Sequence, residues 1–209
     1  MRRSVRIIGG WRIALMLALA AAPATVPSAA LAGPAGARPS ALRQAAAGSG
    51  LTLRSADIAS GGSISLPHVY DRSGCQGGNI SPALAWSHAP AGARSYAVLM
   101  FDSDAPGGGW WHWAVFDIPA GVTSLRSGAG DPSRRLLPPG AVQVRNDWGV
   151  PGYGGPCPPP GPPHHYRLMV YALRVARLGL DASASAAEVA ARARAAALAE
   201  AEILARYGR

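Results

Sequence analysis

Polar side chains of types that are rare in protein cores stand at the ends of two strongly apolar segments. Asp102 and Asp104 follow the apolar run Tyr96 to Phe101, and His112 lies at the start of the next run, residues 111–118. A proline and three glycines between the runs predict a turn. Apolar runs of this length are typical of strands that are buried on both faces. The two acids and the histidine are therefore predicted to lie close together, in an arrangement that suits a functional site.

Two further histidines have the same relation to a third apolar segment. His164 and His165 directly precede the run Tyr166 to Val175, and a segment rich in proline and glycine, residues 152–163, precedes them. Because proline lacks the N–H that helices and central strands need, residues 152–163 are predicted to form a stiff loop. Loops of this kind often carry functional residues. The candidate site therefore combines Asp102, Asp104, His112, His164 and His165.

Three kinds of chemistry fit this set of side chains. In an anion pocket, histidine N–H groups and the Tyr166 hydroxyl would donate hydrogen bonds to phosphate or carboxylate oxygens, while Asp102 accepts. A metal site would use His112, His164 and a carboxylate, although no HxH or HExxH spacing occurs. Acid–base hydrolysis lacks a nucleophile, since there is no GxSxG motif. The residues favour the anion pocket, with no metal, no cofactor and no catalytic residue.

Each of these residues also has a purely structural explanation. Both acids are of a type that stabilises turns through its own side chain. His112 could be a hydrogen-bonded core histidine, and the tryptophans beside it are more often packing residues than a ligand surface. His68 and His88 have no motif around them and are predicted to lie on the surface.

The composition predicts one strand-rich domain and argues against a nucleic-acid partner. The chain has 209 residues, 49% of them hydrophobic, which is enough for a single core. The high glycine and proline contents, 26 and 19 residues, predict many turns. Four of the 20 basic residues, all arginine, lie in the first 32 positions, which leaves 16 against 11 acids, a net charge of +5. These arginines form no basic run, whereas a small anionic partner remains compatible with them.

The first 32 residues have the features of an export signal. Three arginines at positions 2, 3 and 6 precede an apolar stretch, Ile13 to Ala22, and Ala30-Leu31-Ala32 forms a small-x-small cleavage site. The apolar stretch is shorter than the ~20 residues that span a bilayer, so no stable membrane span is predicted. We predict cleavage after Ala32 and a periplasmic or secreted protein; the alternative is a retained N-terminal anchor. Residues 33–50, rich in Ala, Gly, Pro and Ser, predict a flexible linker before a domain at 51–209.

The predicted export makes a disulfide between the two cysteines of the chain favourable. Cys75 and Cys157 are the two cysteines of the sequence, and an oxidising compartment favours a disulfide between them. The alternative is two separate free thiols, and only the distance between their Cα atoms distinguishes these possibilities.

The end of the chain predicts a helix. Ser185 and Glu188 form a capping-box pattern, and residues Val189 to Arg206 are rich in alanine and free of glycine and proline until Gly208. Together with the apolar runs, this predicts a mainly β fold with a C-terminal amphipathic α-helix over 189–206.

Four ordered motifs resemble the phosphatidylethanolamine-binding protein family, in its bacterial Raf-kinase-inhibitor-like branch. Asn79 to Trp86 resembles the NISP-x-L-x-W motif, Asp102 to Pro106 resembles D-P-D-x-P, and Gly109 to Trp113 resembles G-x-x-H-W. Tyr153 to Tyr166 resembles the GY-x-G…PP-x-G-x-x-HRY segment. The similarity covers roughly residues 51–178, and the motifs have the order and spacing of the family.

This resemblance implies an antiparallel β-sandwich-like fold with peripheral helices and a small anion pocket at one end. The pocket would take phosphate, acetate-like anions or phospholipid headgroups, and the family has no generally assigned catalytic activity. An alternative role is inhibition of a kinase or protease partner through surface loops, with the pocket as a regulatory site. By position, the ligand-binding residues would be Asp102, Pro106, His112, Pro158, His164 and Tyr166, with Asp104, Trp111, Tyr153 and His165 in support.

Two positions depart from the family motifs. Ser103 replaces the proline of D-P-D-x-P, which is expected to loosen the turn that holds Asp102. His165 replaces the arginine of HRY. Because histidine is the residue type that titrates near neutral pH and arginine is permanently charged, the hypothesis is that anion binding or stability depends more on pH here than in relatives with arginine.

Overall fold

Two antiparallel sheets and one α-helix make up residues 50–209, the part of the chain that the computed structural model describes. One sheet has three strands in the order β1-β2-β5, and the other has five in the order β6-β4-β3-β7-β8. Short 3-10 turns occur at Leu66–His68 and Pro132–Arg134. The elements are β1 (Thr52–Arg54), β2 (Leu84–Ser87), β3 (Ser95–Asp102), β4 (Trp110–Pro119), β5 (Ser124–Leu125), β6 (Val142–Gln143), β7 (His164–Leu173), α1 (Ala186–Ala196) and β8 (Ala197–Tyr207).

The three predicted buried strands, β3, β4 and β7, lie side by side in the middle of the five-stranded sheet. One face of that sheet, which includes Val98 and Met100 of β3, packs in one core with the three-stranded sheet. The opposite face, which includes Ala97 and Leu99, packs against α1. Because both faces of β3 are covered, its sequence has no polar alternation. The mainly β antiparallel fold with a C-terminal helix is thus confirmed.

The predicted extent of that helix is wrong. Its start is confirmed, since the Ser185 hydroxyl accepts a hydrogen bond from the Glu188 backbone N–H at 3.1 Å. The helix ends at Ala196, however, and the predicted continuation to Arg206 is the strand β8. β8 pairs with β7 along its whole length and alternates between exposed and buried residues. Alanine and glutamate favour helices in isolation, but pairing with the free edge of β7 outweighs that preference.

The disulfide is present, and the predicted leader is outside the described residues. The Cα atoms of Cys75 and Cys157 are 5.9 Å apart and the two sulfurs are bonded, so the free-thiol alternative is wrong. The signal peptide at 1–32 and the linker up to residue 49 lie outside residues 50–209, and they stay predictions. Within 50–209, no helix is long and apolar enough to cross a membrane.

Candidate functional site

Asp102, Trp110 and Tyr166 lie next to one another across the ends of the three central strands. Asp102, the last residue of β3, is paired with Trp110 on β4 and with Tyr166 on β7. A bulge follows in β4: Met100 is opposite Trp113 and Phe101 is opposite Trp111, so His112 is the extra residue. Bulges of this kind change the direction of a side chain and are frequent next to functional sites.

Asp102 is buried and its carboxylate is fully engaged. Oδ1 accepts hydrogen bonds from the backbone N–H groups of Asp104 and Ala105, at 2.9 and 3.2 Å. Oδ2 lies 2.8 Å from Nδ1 of His164, and because a carboxylate accepts, Nδ1 donates. Asp102 therefore stabilises the turn after β3, and it also orients His164.

His112 is held from the loop that follows β6. Its Nδ1 lies 2.6 Å from the Gly154 carbonyl oxygen, and the Gly154 N–H donates to the His112 carbonyl at 2.9 Å. The neighbouring Gly155 explains why this loop needs glycine, since a Cβ there would lie 2.3 Å from the His68 carbonyl oxygen. Burial lowers the pKa of His112, and the hydrogen bond to Gly154 only partly opposes this effect.

A cavity of about 240 Å³ opens beside these residues. It is slightly below the roughly 300–1,000 Å³ of pockets for drug-sized ligands, so it suits a small molecule. Three buried polar atoms at this end of the sheet have no hydrogen-bond partner among residues 50–209: Nε2 of His112, Nε1 of Trp110 and the Tyr166 hydroxyl. Buried polar groups normally have partners. The cavity is lined by Asp102, Ala105, Pro106, Trp110, His112, Trp148, Cys157, Pro158, Pro159 and His164.

Tyr166 lies next to this lining and keeps its proton. Burial and the nearby Asp102 carboxylate raise the pKa of the Tyr166 hydroxyl. The Tyr166 ring is 5.3 Å from the His112 ring, in an edge-on arrangement. The hydroxyl therefore remains a hydrogen-bond donor at neutral pH.

The proline-rich loop forms one wall of the cavity and is linked to the turn at 71–78 by a disulfide and by an arginine side chain. The Cys75–Cys157 disulfide joins it to the turn at 71–78. The guanidinium of Arg209 bridges the same two segments, because Nε donates to the Pro158 carbonyl at 2.6 Å and Nη1 donates to the Gly74 carbonyl at 3.2 Å. These two links hold the part of the loop around Cys157 and Pro158 in position.

Two aromatic rings that the sequence did not single out as site residues, Trp110 and Trp148, also line the cavity. Trp148 stacks on Tyr70 with 4.4 Å between ring centroids and meets the edge of Trp110 at 5.1 Å. Its indole N–H donates to the Gly155 carbonyl at 3.3 Å. The available signal was a tryptophan in a short turn ending in glycine, Asn146 to Gly149, but nothing in that turn indicates which strand end it faces.

The second acid–histidine pair lies outside the cavity lining. Asp104 Oδ2 accepts from both Nδ1 and the backbone N–H of His165, each at 2.6 Å. These hydrogen bonds lower the pKa of the Asp104 carboxyl. Ser103, next to Asp104, donates its backbone N–H to the His165 carbonyl at 3.1 Å, a bond that proline could not make. The turn at Ser103 therefore gains a hydrogen bond, whereas the departure from the motif was expected to loosen it.

Two of the predicted supporting residues pack outside the cavity lining. Trp111 packs on Phe101 at 4.4 Å, on the sheet face that carries α1. Tyr153 is buried and donates from its hydroxyl to the His68 carbonyl at 2.7 Å. The prediction of a surface position for His68 is wrong, since it is 5% exposed and its Nδ1 lies 2.8 Å from the Ile80 carbonyl; His88 is exposed. No group of three His, Cys, Asp or Glu side chains in residues 50–209 has a metal-holding arrangement.

Comparison with known proteins accounts for this arrangement of motifs. The sequence model of the phosphatidylethanolamine-binding protein family matches residues 54–208. The chain belongs to this family. One member of the family, YbcL of Escherichia coli K12, is 45% identical to this chain over 157 residues. The match covers 74% of this chain and 86% of YbcL. YbhB of the same strain is 40% identical over 158 residues, 75% of this chain and 99% of YbhB.

Structural and partial matches agree with this membership. The crystal structure of E. coli YbcL, described as a new member of the mammalian PEBP family, has a TM-score of 0.74, and the match covers 76% of this chain and 98% of the chain in that crystal structure. A putative lipoprotein of Mycobacterium tuberculosis, LppC, is 43% identical over 103 residues, 49% of this chain and 47% of LppC. The predicted resemblance, including the branch with YbcL and YbhB, is confirmed, and family membership supports a ligand-binding protein.

Proposed function

We propose that this protein is a non-catalytic binding protein for phosphate or other small anionic ligands, which occupy the cavity at the ends of β3, β4 and β7. The observation that carries the proposal is a group of buried polar atoms without hydrogen-bond partners among residues 50–209: His112 Nε2, Trp110 Nε1 and the Tyr166 hydroxyl. Tryptophan and tyrosine supply hydrogen-bond donors there, and a bound anion would satisfy them.

The architecture around these atoms supports binding by a preformed site. The Asp102 carboxylate orients His164 through a 2.8 Å hydrogen bond, and the Gly154 carbonyl orients His112. Pro106 and Pro158 form rigid parts of the lining. A site whose side chains are already held in place loses little conformational entropy when the ligand binds.

Among the described residues, the cavity lining offers no serine, threonine or free thiol as a nucleophile. The sulfur of Cys157, which lines the cavity, is bonded to Cys75. The other lining residues, all within the described part of the chain, are Asp102, two histidines, two tryptophans, three prolines and Ala105. The hydrolase alternative would gain if purified protein turned over a phosphoester and Asp102→Asn abolished the turnover.

Export to the periplasm or the exterior is part of the same proposal. A structural disulfide is typical of oxidising compartments, and the chain contains such a bond between Cys75 and Cys157. The related sequence LppC is named as a putative lipoprotein.

Calorimetric titration with methyl phosphate and with acetate tests the proposal. We expect binding to the wild type and its loss in the double variant His112→Ala with His164→Ala. His88→Asn is the matched control, because His88 is exposed and has a positive φ of 60°, which asparagine tolerates. Equal affinity of the double variant and the wild type would contradict the proposal. An inhibitor that acts on a kinase or protease through surface loops would instead keep its inhibition in the double variant.

A further inference from the structure

The hydrogen positions on His112 follow from its partner. Nδ1 lies 2.6 Å from the Gly154 carbonyl oxygen, and a carbonyl only accepts, so Nδ1 carries a hydrogen. Nε2 is buried and has no hydrogen-bond partner within residues 50–209. In a neutral ring with its hydrogen on Nδ1, Nε2 is an acceptor. A ligand that contacts Nε2 must therefore bring a hydrogen, or the ring must take up a proton.

The surroundings of the ring favour its neutral form in the empty protein. His112 is 2% exposed, and burial lowers its pKa against the opposing effect of nearby carboxylates. The titratable groups around His112 come from three elements: Asp102 at the end of β3, His164 and Tyr166 on β7, and Asp147 in the loop after β6.

We propose, building on the anion-binding function above, that the cavity takes a phosphomonoester as its monoanion, whose own O–H donates to Nε2 of His112. The indole N–H of Trp110 and the hydroxyl of Tyr166 donate to the deprotonated oxygens. A phosphomonoester dianion and a phosphodiester both lack an O–H, so either one binds only when a proton from solution is added to His112. The site therefore prefers a free phosphomonoester to the phosphodiester headgroup of an intact phospholipid.

The size of the pH effect follows from the ligand. The second pKa of a phosphomonoester is about 6, so the monoanion falls from about half of the ligand at pH 6 to about one hundredth at pH 8. The apparent affinity should therefore fall about 50-fold over this range, and binding at pH 8 should take up about one proton. A site that took the dianion without uptake of a proton would show the opposite trend.

Calorimetry on the full chain measures both the change in affinity with pH and the number of protons taken up on binding. Methyl phosphate is titrated at pH 6 and pH 8, each in two buffers of different ionisation enthalpy, and dimethyl phosphate represents the lipid-type diester. We expect the 50-fold loss and the proton uptake for methyl phosphate, and weaker binding of dimethyl phosphate at pH 6. Methyl phosphate that binds equally or more tightly at pH 8, or a diester that binds as tightly as the monoester, would overturn the protonated-ligand proposal alone. Absence of binding for both compounds at both pH values would overturn anion binding as well.

Two variants assign the proton to His112. A glutamine amide can donate without taking up a proton. His112→Gln should therefore flatten the pH dependence of methyl phosphate affinity. His164→Gln should weaken binding but keep the same pH dependence. The reverse pattern would overturn the proposal. Because His112 is buried and its variant could fail to fold, ¹⁵N NMR of the histidine rings in the wild type gives an independent result. We expect a neutral ring with hydrogen on Nδ1 in the empty protein at pH 7, and a doubly protonated ring would refute the argument.

Discussion

Replacement of both cysteines, Cys75→Ala with Cys157→Ala, should strongly lower the stability of the protein and moderately lower its affinity for methyl phosphate. The bridge joins residues 82 positions apart. In the chain-entropy description, closing a loop of that length in the unfolded chain corresponds to about 4.5 kcal/mol of stability. For a domain of this size, each kcal/mol corresponds to about 2–4 °C, so the melting temperature should fall by about 9–18 °C.

The effect on affinity should be smaller, because the proline wall has a second attachment. Cys157 and Pro158 line the cavity, and Arg209 donates to the Pro158 carbonyl at 2.6 Å, a contact that does not involve the disulfide and is expected to persist without it. Fixing the backbone of one residue costs about 1–2 kcal/mol, so about tenfold weaker binding of methyl phosphate is expected. Adding Arg209→Ala to the double variant should weaken binding further.

Urea and thermal unfolding, together with calorimetric titration, compare the oxidised wild type, the reduced wild type and the double-alanine variant. The reduced wild type is the matched control, because it lacks the bridge and keeps both side chains. Intact mass after alkylation without reductant should show no added alkyl group in the oxidised protein. Two added groups, or a stability loss below about 1 kcal/mol with unchanged affinity, would refute the reasoning.

Three further predictions concern the acid–histidine pairs. Asp102→Asn should weaken methyl phosphate binding about 10- to 100-fold, because His164 loses its orienting carboxylate. This magnitude corresponds to the roughly 1.5–3 kcal/mol of a hydrogen bond to a charged group. Unchanged affinity in calorimetry would contradict the prediction. Asp104 has a lowered pKa through its bonds from His165, so it stabilises the fold above the usual carboxyl range of about pH 4 and loses this effect below it. Urea unfolding should accordingly show Asp104→Asn less stable than the wild type at pH 6, by at most about 1 kcal/mol, and equal to it at pH 2. His165→Arg should reduce the change in stability between pH 5.5 and pH 8, since arginine stays charged, and an equal change in both proteins would count against the hypothesis.

The sequence predicted the central part of the fold and much of the site because those signals are local. An apolar run such as residues 96–101, ended by acids and a turn, describes a strand that is buried on both faces wherever it is placed. The end of α1 was predicted wrongly because no local signal marks it. No glycine or proline marks Ala196, and the alanine-rich sequence beyond it suits a helix by itself. The edge of β7 makes it a strand, and β7 is distant in the sequence.

The sequence by itself determined which residues could take part: the acids at the end of β3, the histidines near the starts of β4 and β7, and a proline-rich loop too stiff to be a linker. Only the tertiary structure decided their separate roles. It placed Asp102 against His164 in the cavity lining and Asp104 against His165 outside it, and it brought Trp148 into the lining as well. The physical reason is that residue type and spacing set what each side chain can donate or accept, whereas strand register and the bulge at His112 set which partner it meets.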